Sequence, residues 1–263
     1  MSKPLPSHRD GEPKIETLRS AYIDSRDQEQ QPEKQDLARR VVEKYIFDFQ
    51  SVLLDSGTSA RYIANEMFRT RRFLSVLTNN MTAYEGYRKT PGMGGNELIL
   101  TGGRYFHNYD ALLGTATENS IGLFFPNVTI IGVSGLSHED GLFCHGDDEV
   151  AVKVRIWQKK TDVRLIVADW KKIGKRDARS FGLFAELVGS RSPTTRSILV
   201  TNRPDERATQ QEREVFDSEI AEIRSKGSIE VDVPEESELE PCSKLVIPET
   251  IRQHVPAIRN GKP

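Results

Sequence analysis

The sequence predicts an α/β domain built on a mainly parallel sheet with helices on both faces, and three observations carry that reading. Short runs of consecutive apolar residues, such as VLL at 52–54 and LIV at 165–167, recur along the chain. Between them lie segments whose apolar residues repeat at helical spacing. Strands that are apolar on both faces and separated by helices belong to parallel sheets covered on two sides. The third observation is capacity: 263 residues with a hydrophobic fraction of 37% are enough for one large domain or two small ones with a real core.

The elements follow in order. Residues 1–33 are rich in Ser, Asp, Glu, Gln, Arg and Pro, with Leu5, Ile15, Leu18 and Ile23 too scattered to make a core, so they are expected to form a mobile or docked arm. From Lys34, the spacing of Leu37, Val41 and Tyr45 predicts a one-sided helix. The strand SVLLD is then followed by a helix at 59–69, FLSVLTN by a helix at 80–89, and ELILTGG by a segment around 115–125. NVTIIGVSG leads to a helix at 147–160, and VRLIVADW to a connecting region. RSILVTN is followed by a helix at 208–226, and IEVDV closes the series. Residues 34–234 form the expected domain, without internal repeats. Residues 235–263, dominated by acids and prolines, are expected to form a second arm.

Composition excludes several classes. No run approaches the roughly 18 apolar residues of a membrane span, and the amino terminus lacks the apolar centre of a signal peptide. The expectation is a soluble, cytoplasmic chain without membrane contact. Cys144 and Cys242 are the only cysteines, which excludes a disulfide framework or a four-cysteine zinc site. With 37 basic and 39 acidic residues the formal charge is −2, which supplies no overall footprint for nucleic acid.

The stretch DSGTSA at 55–60 stands between the first strand and a helix whose Ala60, Ile63, Ala64, Met67 and Phe68 fall on one face. In an open parallel sheet, ligands bind beyond the carboxyl ends of strands, and a helix amino terminus offers unpaired N–H groups and partial positive charge. Gly57 lets an anion approach the main chain, and Ser56, Thr58 and Ser59 supply hydroxyl donors. Asp55 would repel an anion, so it is expected to accept hydrogen bonds from loop N–H groups or from the hydroxyls of a polyol carrying the phosphate. The plainer alternative is that Asp55, Thr58 or Ser59 caps the helix and Gly57 relieves the turn. Further strand ends carry Thr78-Asn79, Thr101-Gly102-Gly103 and Ser134-Gly135. Asn79, Gly102 and Gly103 are therefore candidate lining residues, with helix capping by Asn79 and a tight turn at the glycine pair as the alternatives.

DSGTSA, LTNN, LTGGRY, GVSGLSHEDGL, DDEVAVK and ADWKKIGK, in this order and spacing, resemble the carboxyl-terminal effector-sensing domain of the DeoR family of bacterial transcriptional repressors. The resemblance runs from about Lys34 to Val233. It implies the Rossmann-like fold of ribose-5-phosphate isomerases and CoA transferases, and a phosphorylated sugar or polyol as effector. It also implies a phosphate loop at Asp55 to Ser59, and Lys172 facing the same crevice. Trp170 and Lys171 stand where the family commonly has two small residues. The family's sensor domains oligomerise, so the implied partners are further copies of the chain, or a separate protein reached through the terminal arms. No cofactor is implied.

The family's amino-terminal winged helix-turn-helix has no counterpart here, because residues 1–33 are too short and too poor in apolar residues to pack three helices. The expectation is a stand-alone or truncated sensor without direct sequence-specific DNA binding. The alternative is a sugar-phosphate isomerase with Asp148 or Glu149 as carboxylate base near Lys153. Yet the glycine-rich, lysine-led loop of ribose-5-phosphate isomerases is absent, acids suit a first helical turn, and Glu149 with Lys153 reads as an ordinary i,i+4 pair. His138, Asp140, Cys144 and His145 match no recognised ligand spacing, and no metal is expected.

Overall fold

A computed structural model of the chain describes residues 31–89, 93–184, 195–227 and 229–234. The two expected arms lie outside the described residues except for residues 31–33, which open the first helix. The chain begins with α1 (Gln31–Tyr45), β1 (Ser51–Leu54), α2 (Thr58–Thr70), β2 (Ser75–Thr78), α3 (Met81–Lys89) and β3 (Glu97–Leu100). It continues with β4 (Arg104–Phe106), β5 (Ala111–Leu113), α4 (Thr115–Leu123), β6 (Val128–Gly132), β7 (Gly135–Ser137) and β8 (Gly141–Cys144). Then come α5 (Asp147–Trp157), β9 (Val163–Val167), β10 (Arg179–Gly182), β11 (Arg196–Val200), α6 (Gln210–Lys226) and β12 (Glu230–Asp232).

The main sheet has seven strands in the order β12-β11-β9-β6-β1-β2-β3. Every neighbouring pair is parallel. The expected mainly parallel sheet with helices on both faces is therefore present. From β1 the chain steps outward through β2 to the β3 edge. It returns through the β4–β5 hairpin and α4 to β6 on the other side of β1, then runs outward again to β12. The strand order thus reverses between β1 and β6, where a crevice opens beyond the carboxyl ends in folds of this kind.

Strand side chains divide between two apolar clusters, as alternation requires. Val52, Leu54, Ile130, Leu165, Val167, Ile198 and Val200 pack with α1 and α2 residues such as Leu37, Val41, Ile63 and Met67. Leu53, Ile131, Ile166 and Leu199 face the opposite way, toward Ile121, Val152, Ile156, Phe216 and Ile220 of α4, α5 and α6. Each fully buried side chain of this size contributes on the order of 1.5–3 kcal/mol. The α1 stripe is Lys34, Leu37, Ala38, Val41 and Val42, and Arg71 closes its carboxyl end by donating to the carbonyls of Val42 and Ile46 at 2.8 and 2.6 Å.

Two elements depart from the expectation. The stretch after β6, expected to lead straight to the helix at 147–160, folds back into a three-stranded antiparallel sheet, β10-β8-β7. The helix expected at 147–160 ends at Trp157, because Gln158 already takes the capping position and the turn at residues 159–162 is needed to bring Val163 into register beside Val128. Among the described residues, no helix is long and apolar enough to cross a membrane.

Candidate functional site

Beyond the reversal point lies a cleft enclosing about 420 Å³, part of it open to solvent. Its walls come from Ser56–Ala60 after β1, Gly132–Ser134 after β6, Cys144 and His145 after β8, Glu149 and Lys153 on α5, and Lys172 after β9. Of the ligand-binding and catalytic candidates named from the sequence, Ser56, Gly57, Thr58, Ser59, Lys172 and Glu149 line it.

The β1 turn presents its main chain to this space. Gly57 is the residue before α2 and sits at φ 111°, where a β-carbon would be strained, yet one built there meets nothing within 4 Å. Gly57 also lines the cleft, so the open space beside it adjoins the cleft. No side chain caps α2, leaving its first N–H groups for another acceptor. Ser59 is 6% exposed and its hydroxyl makes no hydrogen bond. A buried donor of this kind ordinarily has a partner.

Asp55 does not line the cleft; it lies fully buried beneath it. Its Oδ2 accepts from the Gly132 N–H at 3.0 Å and from Lys153 Nζ at 2.5 Å. Lys153 also donates to the Gly132 carbonyl at 2.8 Å. Burial alone would push the Lys153 ammonium down, but the Asp55 carboxylate, with Glu149 behind it, outweighs this and holds it above the ordinary lysine value. The knot fastens β1, β6 and α5 together under the turn. Lys153's partner is thus Asp55, 98 residues away in sequence, and not Glu149 at i,i+4. The stripe Glu149, Val152, Lys153, Ile156 and Trp157 is the buried face of α5, so the two charges at core positions are the signal that sequence reasoning passed over.

Glu149 is 8% exposed and lines the cleft; its N–H donates to the Gly146 carbonyl at 3.2 Å, while its carboxylate makes no hydrogen bond or ion pair among the described residues and acts on Lys153 through its charge alone. Asp148 is exposed and outside the cleft. Burial, set against the pull of Lys153, pushes the Cys144 thiol up to about 11, so it stands in the wall as a neutral group. His145 Nδ1 lies 3.3 Å from Asp177 at the mouth. Lys172 pairs with Asp169 at 3.1 Å and retains access to the cleft. Trp170 is 3% exposed and belongs to the apolar cluster on the α5 side, so its bulk does not occupy the cleft.

Asn79, Gly102 and Gly103 lie elsewhere. Asn79 Nδ2 donates to the Leu112 carbonyl at 3.1 Å, fixing the β4–β5 hairpin. The cap of α3 is Asn80, whose Oδ1 accepts from the N–H groups of Thr82 and Ala83. Its Nδ2 reaches the Gly57 carbonyl at 3.0 Å, which makes Asn80 a support of the β1 turn. The Gly102 carbonyl accepts from Thr117 at 2.8 Å, and Gly103, at φ 114°, packs so closely that a β-carbon would stand 2.7 Å from the Leu113 carbonyl. The polar residues after β7 go to separate pairings: His138 to Glu219 at 3.0 Å and Asp140 to Arg176 at 2.5 Å. No group of three or more His, Cys, Asp or Glu among the described residues is placed to hold a metal ion.

A family model described as the DeoR C terminal sensor domain matches residues 29–188. The chain belongs to the DeoR family. This DeoR-family chain is 30% identical over 154 residues to the HTH-type transcriptional regulator GlpR of Haloferax volcanii, covering 59% of the chain and 56% of that protein. It is 27% identical over 153 residues to the glycerol-3-phosphate regulon repressor of Escherichia coli K12, covering 58% of each. The chain spans about half the length of the curated relatives it matches. Among solved structures, the probable sor operon regulator of Shigella flexneri aligns with a TM-score of 0.39 at 8% identity, over 76% of this chain and 97% of that one. Ribose 5-phosphate isomerase A of Methanocaldococcus jannaschii also aligns with a TM-score of 0.39, at 11% identity over 56% and 58% of the two chains. Scores of this size bear on no functional point.

Proposed function

We propose that this DeoR-family domain is a sensor whose cleft takes a phosphorylated sugar or polyol, with the phosphate seated on the Ser56–Ser59 turn. The observation that carries the reading is the open, uncapped start of α2, where Gly57 leaves the main chain bare and the buried Ser59 hydroxyl lacks a partner. A helix amino terminus with free N–H groups and a nearby ammonium, Lys172, suits an oxyanion. The names of relatives point the same way, since three of them are repressors of a glycerol-3-phosphate regulon. In this reading the described domain supplies the ligand response, and duplex recognition is no part of it.

A second reading has one observation in its favour. Glu149 is a carboxylate inside the cleft, as an isomerase base would have to be. The two readings separate in one experiment, a thermal-shift screen against phosphorylated sugars and polyols followed by product analysis. A ligand at 100 times its Kd stabilises the folded state by about 2.7 kcal/mol. The sensor reading expects stabilisation by at least one such ester, recovered unchanged after hours. Interconversion of an aldose and a ketose would replace it with the isomerase reading, and no stabilisation by any ester would remove the phosphate site.

A further inference from the structure

The cleft contains two residues that are more than nine-tenths buried and whose polar side chains make no hydrogen bond among the described residues, and they differ in what they can receive. Ser59 is 6% exposed and offers a hydroxyl donor at the start of α2; Glu149 is 8% exposed and offers a carboxylate from α5. An ionised carboxylate only accepts hydrogen bonds, and it repels a second anion in a poorly solvated space. Lys153 does not neutralise Glu149 by contact, because its ammonium is held by Asp55 Oδ2 and the Gly132 carbonyl. The remaining basic side chains of the cleft differ in reach: Lys172 already faces Asp169, and His145 sits at the mouth beside Asp177. Glu149 therefore stands in the cleft as a negative acceptor.

Resting on the phosphate site proposed above, we infer that Glu149 is a specificity-determining residue that reads the tail of the ligand. Its carboxylate accepts a hydroxyl hydrogen bond from the carbon chain and refuses a second anionic group. The ligand class is then a phosphate monoester with a neutral, hydroxylated tail. Bisphosphates and phosphorylated sugar acids are excluded. The Cys144 thiol beside this carboxylate is neutral, so it does not relieve the negative charge, and a tail without hydroxyls would leave the carboxylate buried and unpaired.

The test is isothermal titration of the full chain with two matched sets of probes. The three-carbon set is glycerol 3-phosphate, 3-phosphoglycerate and propyl phosphate; the six-carbon set is glucitol 6-phosphate, 6-phosphogluconate and hexyl phosphate. Inorganic phosphate serves as the head group alone. In at least one set the polyol ester is expected to bind tenfold or more tightly than both the acid and the alkyl ester. In Glu149→Gln, whose folding is checked by its unfolding temperature, the gap between polyol and acid should shrink at least fivefold. Ser59→Ala should weaken all esters alike and leave the ratios within about twofold. Equal binding of polyol and acid esters by the natural chain would overturn the inference while keeping the phosphate site, and so would an unchanged ratio in Glu149→Gln. Failure of all seven probes to bind would remove the phosphate site, and the inference with it.

Discussion

Two sets of strand ends in this domain have the same polar, glycine-containing character and entirely different uses. At the end of β1, Ser56 to Ser59 line the cleft, with the start of α2 uncapped and the buried Ser59 hydroxyl without a partner. At the ends of β2 and β3, Asn79, Gly102 and Gly103 spend their polar atoms and backbone freedom on holding the β4–β5 hairpin and the start of α4. The difference is position in the sheet and not composition. β1 borders the reversal of strand order, where neighbouring connections leave in opposite directions and open a gap, whereas β2 and β3 lie on one side of it and their ends are tied to the β4–β5 hairpin and α4.

The largest effect expected concerns what lies beneath the open set. Lys153→Met leaves the Asp55 carboxylate buried without its cation and should cost about 3–5 kcal/mol, read as a fall in the urea midpoint. A loss under 1 kcal/mol would mean that the pair is not what secures the turn. Next comes the turn itself: Gly57→Asp places a side chain and a negative charge where the phosphate would sit, and affinity for phosphate esters should fall well over tenfold. Unchanged affinity would erase the contrast between the two sets of strand ends.

On the closed side the pattern should reverse. Gly103→Ala meets the Leu113 carbonyl and demands φ 114° of an alanine, so stability should drop by about 1–3 kcal/mol while the folded protein keeps its ligand affinity. The smallest effect is expected for Asn79→Ala. Losing the bond to the Leu112 carbonyl should cost about 1 kcal/mol, visible as faster amide exchange at Leu112 with ligand binding unaltered. A tenfold loss of affinity in either variant would put the β2 and β3 ends back into the site.

The sheet was readable from the sequence because runs such as VLL and LIV are apolar on both faces and turn residues separate them from helical stripes. The β1 turn was readable because a glycine between hydroxyl residues, directly before a helix, is a local pattern. Less was visible where strands have only three or four residues, as in the β10-β8-β7 sheet, since such lengths carry no measurable periodicity. The partnership of Asp55 with Lys153 lies 98 residues away, and only the misplaced charges on the buried stripe of α5 hinted at it. The exchange of roles between Asn79 and Asn80 turns on a single residue of offset, which decides whether the side chain faces the hairpin or the turn.

That long separation also has a temporal side. A ribosome adding about 5–20 residues per second needs roughly 5–20 s to proceed from Asp55 to Lys153. Until then the carboxylate has no cation to meet, and burying it alone is strongly unfavourable. Strand β1, although its apolar residues are synthesised early, runs directly into this acid, so the central pairing of the sheet with β6 is expected to wait for α5 to emerge. A nascent chain arrested before α5 should therefore show helices and an unsettled β1, with protection of Val52 to Leu54 appearing only once Lys153 has left the exit tunnel.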